Sequence, residues 1–473
     1  MPVLPAPSEG ASTAADTVGR LVAGLRRRGI AVAPDVSDLA NATGPAPCPV
    51  LRWAASGAMS LTGWPGEAPQ WPTGDVIGRL DGTARLLGVV ARGFGADLAL
   101  DIAALLTQRA AARGAARSGA VSVGGRCQLV RSGDGWVAVN LARPSDLELL
   151  PALTGGTVPA CADADRPGEA DRPGEADLPG EVWDALKEFV RRRPGDEVVA
   201  RAQLLGLPAA RLPASAPGPG LPWAIQRLGE RAPTPTRAPV VVDFSAMWAG
   251  PLCAHLLGRC GAHVIKVEDV GRPDGVRRGD PWLFTELHRH HDQVLLDFRS
   301  PTDRRALRRI VDCADMVVES SRPRALATLG FSPQEFLGAR AGRTWVSITG
   351  YGRDGPRSNW VAFGDDAAVA GRLVGSSGAR SPVFCADAIA DPVSGLCAAT
   401  GAVASFAAGG GHLVDCSMQA SSAFANRDGS CAGEHRVERH GSTWSAYHGE
   451  ASQRVESAAD PRGRLPDEPL IPV

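Results

Sequence analysis

One aspartate stands where a chain can present a carboxylate for covalent chemistry. In Ser381-Pro382-Val383-Phe384-Cys385-Ala386-Asp387-Ala388-Ile389-Ala390-Asp391-Pro392 an apolar stretch runs into Asp391, and a proline fixes the next φ. The small-residue run from Gly395 to Ala404 then reads as a tightly packed helix. Asp391 thus falls at a strand-to-helix junction, where two roles are open to it. It can be a helix N-cap, with Pro392 in the first helical position. It can also be a nucleophile held at the mouth of an α/β layer.

Other reactive side chains are less directed. His288, His290 and His291 alternate without an acidic or cysteine partner and read as strand-edge surface residues, so no metal site is expected. The ten cysteines, at 48, 127, 161, 253, 260, 313, 385, 397, 416 and 431, form no C-x-x-C pair and read as reduced core residues, which argues against structural zinc.

The elements that must position Asp391 lie upstream. Val240-Val241-Val242-Asp243-Phe244 reads as a buried strand, Ala249-Gly250-Pro251 as a turn into a helix over 252–260, and His263–Glu268 as a second strand ending in an acid. The glycine fingerprint of a dinucleotide site is missing, which excludes nicotinamide and flavin on sequence grounds. Strands follow at 294–298, 316–319 and 345–349, with helices begun by Ser300 and by Ser332. Alternation of this kind predicts an α/β fold with a Rossmann-like, mostly parallel sheet and helices on both faces.

The first part of the chain carries an echo of this region. Adding 313 takes Pro69 to Pro382, Gly82 to Gly395, Gly88 to Gly401, Val90 to Val403 and Ala91 to Ala404; adding 314 takes Gly57 to Gly371 and Asp101 to Asp415. A near-constant offset that preserves turn and packing glycines reads as an internal duplication. At the same offset Asp391 falls on Gly78, so one copy keeps the carboxylate and the other does not. Between the copies, 131–139 reads as a hairpin turning at Asp134-Gly135, Ser145–Glu148 as a capping box, and 182–193 as a helix. The near-repeats over 165–181 and the stretch 214–237 are rich in proline and glycine and read as solvated connections.

With 44% hydrophobic residues, 21% charged and a net charge of −1 over 473 residues, the composition is that of a soluble globular protein of two or three units. No nucleic-acid or membrane surface is indicated. The start of the chain has neither a basic segment nor an apolar one, from which a cytoplasmic protein is expected.

The order of motifs resembles one family. Asp243-Phe244-Ser245, Gly261–Glu268, Leu296-Asp297 with Arg299-Ser300-Pro301, Val317-Val318-Glu319 with Arg322-Pro323, Ile348–Gly352 with Gly355-Pro356, and Ile389-Ala390-Asp391 with Gly395 resemble the class III CoA-transferases, the CaiB/BaiF type. Formyl-CoA transferase, carnitine CoA-transferase and α-methylacyl-CoA racemase are members of that family. The resemblance is strong over 239–420, and 53–212 looks like a second, partial family chain. It implies an enzyme moving CoA between an acyl-CoA thioester and a carboxylic acid, through an acyl-aspartyl anhydride and then an aspartyl-CoA thioester at Asp391. Coenzyme A would be a substrate, with no tightly bound cofactor. By family position Met247, Leu296, Arg299, Ser320, Ser321 and Leu329 line the CoA groove.

The resemblance also implies an organisation: a partial, degenerate catalytic copy over 1–117, a small α+β domain over 118–213, a linker over 214–238, a CoA-binding and catalytic domain over 239–425, and a polar tail over 426–473. Family members are interlocked homodimers, and the complementary missing parts suggest a fused pseudo-dimer in which 118–212 caps the site of 239–420; a homodimer is the alternative. Asp365 stands where many transferases carry tyrosine and the racemases a histidine, which ranks acyl-CoA racemization or isomerization second. A catalytically weak acyl-CoA-binding or partner-subunit protein is the third reading, given His290-His291-Asp292-Gln293 and Glu319-Ser320-Ser321 in place of the family's phosphate-contact residues.

Overall fold

The computed structural model describes residues 13–32, 48–156, 180–215, 218, 220–233, 237–322, 324–375, 381–427 and 434–459. Most of the near-repeats over 165–181 and the cysteines at 161 and 431 lie outside the described residues.

The N-terminal part is helical: α1 (Thr13–Arg26), α2 (Val76–Arg92) and α3 (Ile102–Ala112). A small unit follows, with a three-stranded antiparallel sheet of β1 (Cys127–Ser132), β2 (Gly135–Asn140) and β3 (Ala209–Arg211), covered by α4 (Gly180–Arg191) and α5 (Gly195–Leu205). Its core is Val137, Val139, Leu150, Leu186, Phe189 and their neighbours. The β1–β2 turn is Gly133-Asp134, one residue earlier than the sequence suggests. Asp134 stays folded back there, its Oδ1 accepting the Gly195 N–H at 2.8 Å. The short helix Pro144–Glu148 is also entered differently: the Asp146 carboxylate accepts the Arg143 N–H at 2.8 Å, so Ser145 is not the cap.

The main sheet consists of β4 (Trp223–Arg227), β5 (Val240–Asp243), β6 (His263–Asp269), β7 (Asp292–Leu296), β8 (Met316–Glu319), β9 (Thr344–Thr349) and β12 (His412–Ser417). The small hairpin β10 (Val374–Gly375) and β11 (Val383–Phe384) lies between the last two in sequence. The sheet order is β4-β12-β9-β8-β5-β6-β7, and every pair is parallel except β12–β4. From β5 the chain steps outward through β6 and β7, then returns to β5's other side for β8, β9 and β12. The direction of winding reverses between β5 and β8, which opens a crevice at their carboxyl ends. Runs such as Val240-Val241-Val242 suit strands covered on both faces.

Five further helices matter here: α6 (Ala249–Arg259), α7 (Pro281–His288), α8 (Pro301–Cys313), α9 (Gly364–Ala370) and α10 (Ala390–Ala407). Helix α8 starts as expected, the Asp303 N–H bonding to Ser300 Oγ. Helix α6 begins at Ala249, so Ala249-Gly250-Pro251 is its first turn rather than a connection ahead of it. Helix α10 is buried continuously from Pro392 to Phe406, as a helix apolar all round must be. It lies against α6 and also against α2.

Both α2 and α10 depend on a glycine at a helix crossing. A Cβ on Gly395 would stand 2.7 Å from the Ala249 carbonyl oxygen, and one on Gly82 would stand 2.5 Å from the Ala14 carbonyl oxygen. Beyond α10 come β12 and α11 (Met418–Ala425). The C-terminal stretch is not merely a polar extension: β13 (His435–His440), β14 (Thr443–His448) and β15 (Ala451–Arg454) form an antiparallel sheet. Their burial is mostly partial or slight, so no apolar alternation announces them. No helix among the described residues is long and apolar enough to cross a membrane.

Candidate active site

The loop after β5 is pinned by buried charge. The Asp243 carboxylate accepts both the backbone N–H (2.8 Å) and the hydroxyl of Ser245. Lys266, fully buried on β6, donates to the Ser245 carbonyl and lies 3.4 Å from Asp274. Asp274 in turn accepts the Met247 N–H at 3.1 Å and 3.2 Å. Met247 is thereby held at φ 74, a left-handed conformation that a methionine adopts only when its surroundings impose it. The acid that ends β6, Glu268, bonds to the Asp274 N–H at 2.7 Å and to Arg277, so it builds this loop and leaves no free carboxylate for a ribose.

Asp391 meets the far end of that loop, where α6 begins. The N–H of Ala249, at the start of α6, donates to its carboxylate. Asp391 itself is the second residue of α10, after Ile389, so it does not cap the helix and Pro392 is not the first helical residue. The turn feeding α10 carries φ values of 51 at Ala386 and 42 at Ala388, two further non-glycine residues held left-handed. This turn aims Asp387 and Asp391 at one place. Above them Gly364 opens α9, and any Cβ there would overlap Asp391 Oδ2. Asp391 as a whole residue is nevertheless not fully buried.

The remaining members of the cluster come from the N-terminal half. Arg109 on α3 donates from Nη1 to both oxygens of Asp387 at 2.8 Å and from Nε to Asp280 at 3.1 Å. Its guanidinium lies 5.1 Å from the centre of the Trp248 ring. The Ser122 hydroxyl donates to Asp365, which also accepts the Ala388 N–H. A cavity of about 20 Å³, room for one water, lies beside Arg109 and is lined by Gln108, Trp248, His255 and Leu287 among others.

Crowded carboxylates in a dry place resist ionisation. Burial raises Asp391 to about 7, with Arg109 and the Ala249 N–H working against it and Asp365 and Asp387 reinforcing it. Asp365 is likewise raised to about 7, first by burial and then by Asp387. Neighbouring acids in this range titrate as a pair, holding roughly one proton between them at neutrality.

The residues expected to line a CoA groove fall around the crevice. Met247, 40% exposed, follows β5, and Ser320 and Ser321 follow β8. Ser320 Oγ accepts the Ala246 N–H at 3.1 Å, which closes the two loops onto each other. Leu296 and Leu329 lie at the edge of the apolar layer containing Phe244 and Phe331. Arg299, on the loop after β7, is exposed and pairs with Asp297 at 3.3 Å.

Sequence reasoning missed Arg109, Trp248, Asp280, Asp387 and Ser122. A lone arginine among Ala103–Ala112 was the available signal. The histidines also differ from expectation. His288 ends α7 and is 1% exposed, with its Nδ1 3.1 Å from that of His291. Burial lowers His288 to about 2, His291 to about 4 and His255 to about 3, so all three stay neutral.

Known proteins share this region. The description "CoA-transferase family III" matches residues 239–441. Succinyl-CoA–D-citramalate CoA-transferase of Chloroflexus aurantiacus is 30% identical over 199 residues, 39% of this chain and 50% of that protein. Human succinyl-CoA:glutarate CoA-transferase is 27% identical over 194 residues, 38% and 44% of the two chains. Formyl-CoA:oxalate CoA-transferase of Rhodopseudomonas palustris is 30% identical over 193 residues, 38% and 45%. A crystal structure of a hypothetical protein from Mycobacterium tuberculosis aligns with a TM-score of 0.36 and 26% identity, over 41% of this chain and 57% of that one. The chain spans about half the length of the curated relatives it matches. The likeness to CoA-transferase family III thus lies over residues 239–441, the region that holds Asp391.

Proposed function

We propose that this protein moves CoA between an acyl-CoA thioester and a carboxylic acid, with Asp391 as the covalent nucleophile. The observation that carries the reading is the placement of that carboxylate, in a residue that is not fully buried, on the first N–H of α6 and at the end of the loop that forms one wall of the β5/β8 crevice. A thioester lying over Met247, Ser320 and Ser321 would bring its carbonyl to Asp391. Attack by one carboxylate oxygen on the thioester carbon breaks the carbon–sulfur bond and gives an acyl-aspartyl anhydride and a CoA thiolate. The thiolate then attacks the aspartyl carbon, releasing the donor acid and leaving an aspartyl-CoA thioester. An acceptor carboxylate repeats the two exchanges in reverse order. Each step trades one acyl derivative for another, which divides one difficult transfer into easier ones. Arg109 and the α6 N–H group favour the charged form of the nucleophile. Arg299, exposed on the rim, supplies a cation for CoA phosphate, and Leu296 and Leu329 an apolar edge.

The same reading accounts for the doubled architecture. The glycines of α2 and α10 meet their neighbour helices alike, which supports a duplicated unit. At Gly78, the counterpart of Asp391, a side chain would strike Asp75 at 2.5 Å and Arg52 at 2.7 Å. An ion pair fills the degenerate site. The small unit reaches α9 through the bond from Asn140 Nδ2 to Asp366 at 3.1 Å, and Gln203 pairs with Val361 in both directions at 2.8 Å. One chain would thus supply what two chains of a dimer supply, a fused pseudo-dimer.

Incubation with a panel of acyl-CoAs followed by intact mass measurement should show a covalent adduct in wild type and none in Asp391→Ala. Hydroxylamine should release it. The nearness of Asp365 and Asp391, both raised to about 7, favours a second reading in which the pair moves an α-proton of an acyl-CoA. Deuterium incorporation at that carbon without an adduct would select it.

A further inference from the structure

Three metal-binding side chains from distant parts of the sequence meet where the C-terminal sheet touches the N-terminal helices. His435 on β13 and His448 on β14 are directly opposed in the hairpin register, so both imidazoles leave the same face. Their rings stack 13° from parallel with centres 4.6 Å apart. Cys48, the residue ahead of the helix Pro49–Ala55, places its Sγ 3.2 Å from His435 Nε2. One ligand atom from each of the three lies within 4.8 Å of the others.

A hydrogen bond between Cys48 and His435 explains one of these contacts and does not explain the convergence of all three. A tetrahedral zinc does: with a Zn–S bond of about 2.3 Å and Zn–N bonds of about 2.0–2.1 Å, its ligand atoms stand about 3.3–3.8 Å apart, a small adjustment from the spacing here. A thiolate with two imidazoles selects zinc and its transition-metal neighbours over magnesium or calcium.

We propose that Cys48, His435 and His448 hold a zinc ion that fastens the β13–β15 sheet to the N-terminal half. That sheet is the start of a strap. Beyond it the Glu456 N–H bonds to the Ala54 carbonyl at 3.0 Å, and the Ala459 N–H bonds to Thr107 Oγ1 at 3.0 Å. Thr107 lies on α3, two residues from Arg109, so the metal anchors a segment that ends against the helix supplying the arginine of the carboxylate cluster. The site's function is structural, and its ligands are separate from Asp391.

The test uses the full, untagged chain stripped with chelator and reloaded with zinc or cobalt. Elemental analysis after gel filtration should give about one zinc per chain, and cobalt should produce the near-ultraviolet thiolate-to-metal band. Cys48→Ser should abolish that band, and His448→Gln should weaken zinc by at least the ~100-fold that even loss of a supporting partner can cost. Cys313→Ser, which removes an exposed thiol elsewhere, should change neither. Zinc should raise the unfolding temperature of wild type and not that of His448→Gln. Absence of stoichiometric zinc, or equal binding by wild type and His448→Gln, overturns the proposal. If Cys48→Ser fails to fold, the His448→Gln comparison decides alone.

Discussion

The reactivity proposed for Asp391 comes from its neighbours rather than from its own position in sequence. A carboxylate near 7 is a better nucleophile when charged than an ordinary one, and it is charged only part of the time at neutrality. Transfer is therefore expected to rise with pH through about 7, the value to which burial first and then Asp365 and Asp387 bring Asp391. Asp365→Asn removes one of the two negative neighbours while keeping an amide that accepts from Ser122. Its rising limb should move to lower pH, read from the pH dependence of adduct formation. An unmoved limb would mean that Asp365 does not face the nucleophile. The aspartate itself was legible from Ile389-Ala390-Asp391-Pro392. Its partner Arg109 showed only as a lone arginine in an alanine-rich helix, a signal that does not say what lies opposite until the fold brings Asp280 and Asp387 to it.

Among the elements, α6 and α10 set the geometry, because the N–H that meets Asp391 belongs to one helix and the aspartate to the other. Gly395 allows their backbones to touch. Alanine is the better helix former by about 1 kcal/mol, yet its methyl would stand 2.7 Å from the Ala249 carbonyl, and overpacking of this kind costs about 1–3 kcal/mol. Gly395→Ala should accordingly lower stability in denaturant titration and impair adduct formation. The helical Gly338, with nothing within 4 Å of its Cβ position, provides the contrast: Gly338→Ala should hold or raise stability. Equal effects at both sites would remove the crossing as the cause. Strands and caps of this region were readable because valine runs and Ser-Pro starts act locally. The start of α6 at Ala249 was not, since a proline in a first turn looks from sequence like a turn before the helix.

At the scale of the whole molecule, the small unit and the region of the main sheet are joined through a buried acid. Asp366 accepts the Phe363 N–H and the Asn140 amide, and burial raises it from 3.8 to about 8. Between those values the folded protein holds a proton that the unfolded chain has released, so folding stability falls as pH rises through the window. Asp366→Asn keeps an oxygen for both donors and removes the titration. Its stability should fall less than wild type's between about pH 5 and pH 8 in chemical denaturation, and parallel curves would place the pH sensitivity elsewhere. The order of α/β elements could be read from periodicity, and the spacing of glycines is the ground on which the duplication is proposed. The β13–β15 sheet could not, because strands such as His435–His440 lie largely exposed and show no apolar alternation.

The most direct measurement is the intact mass of the protein after brief exposure to acyl-CoA donors, followed by fragmentation to locate any added group. A hydroxylamine-sensitive acyl or CoA adduct on Asp391, missing in Asp391→Ala and increasing with pH through about 7, is the predicted result. An adduct on another residue, or CoA transfer that continues undiminished in Asp391→Ala, would contradict the account.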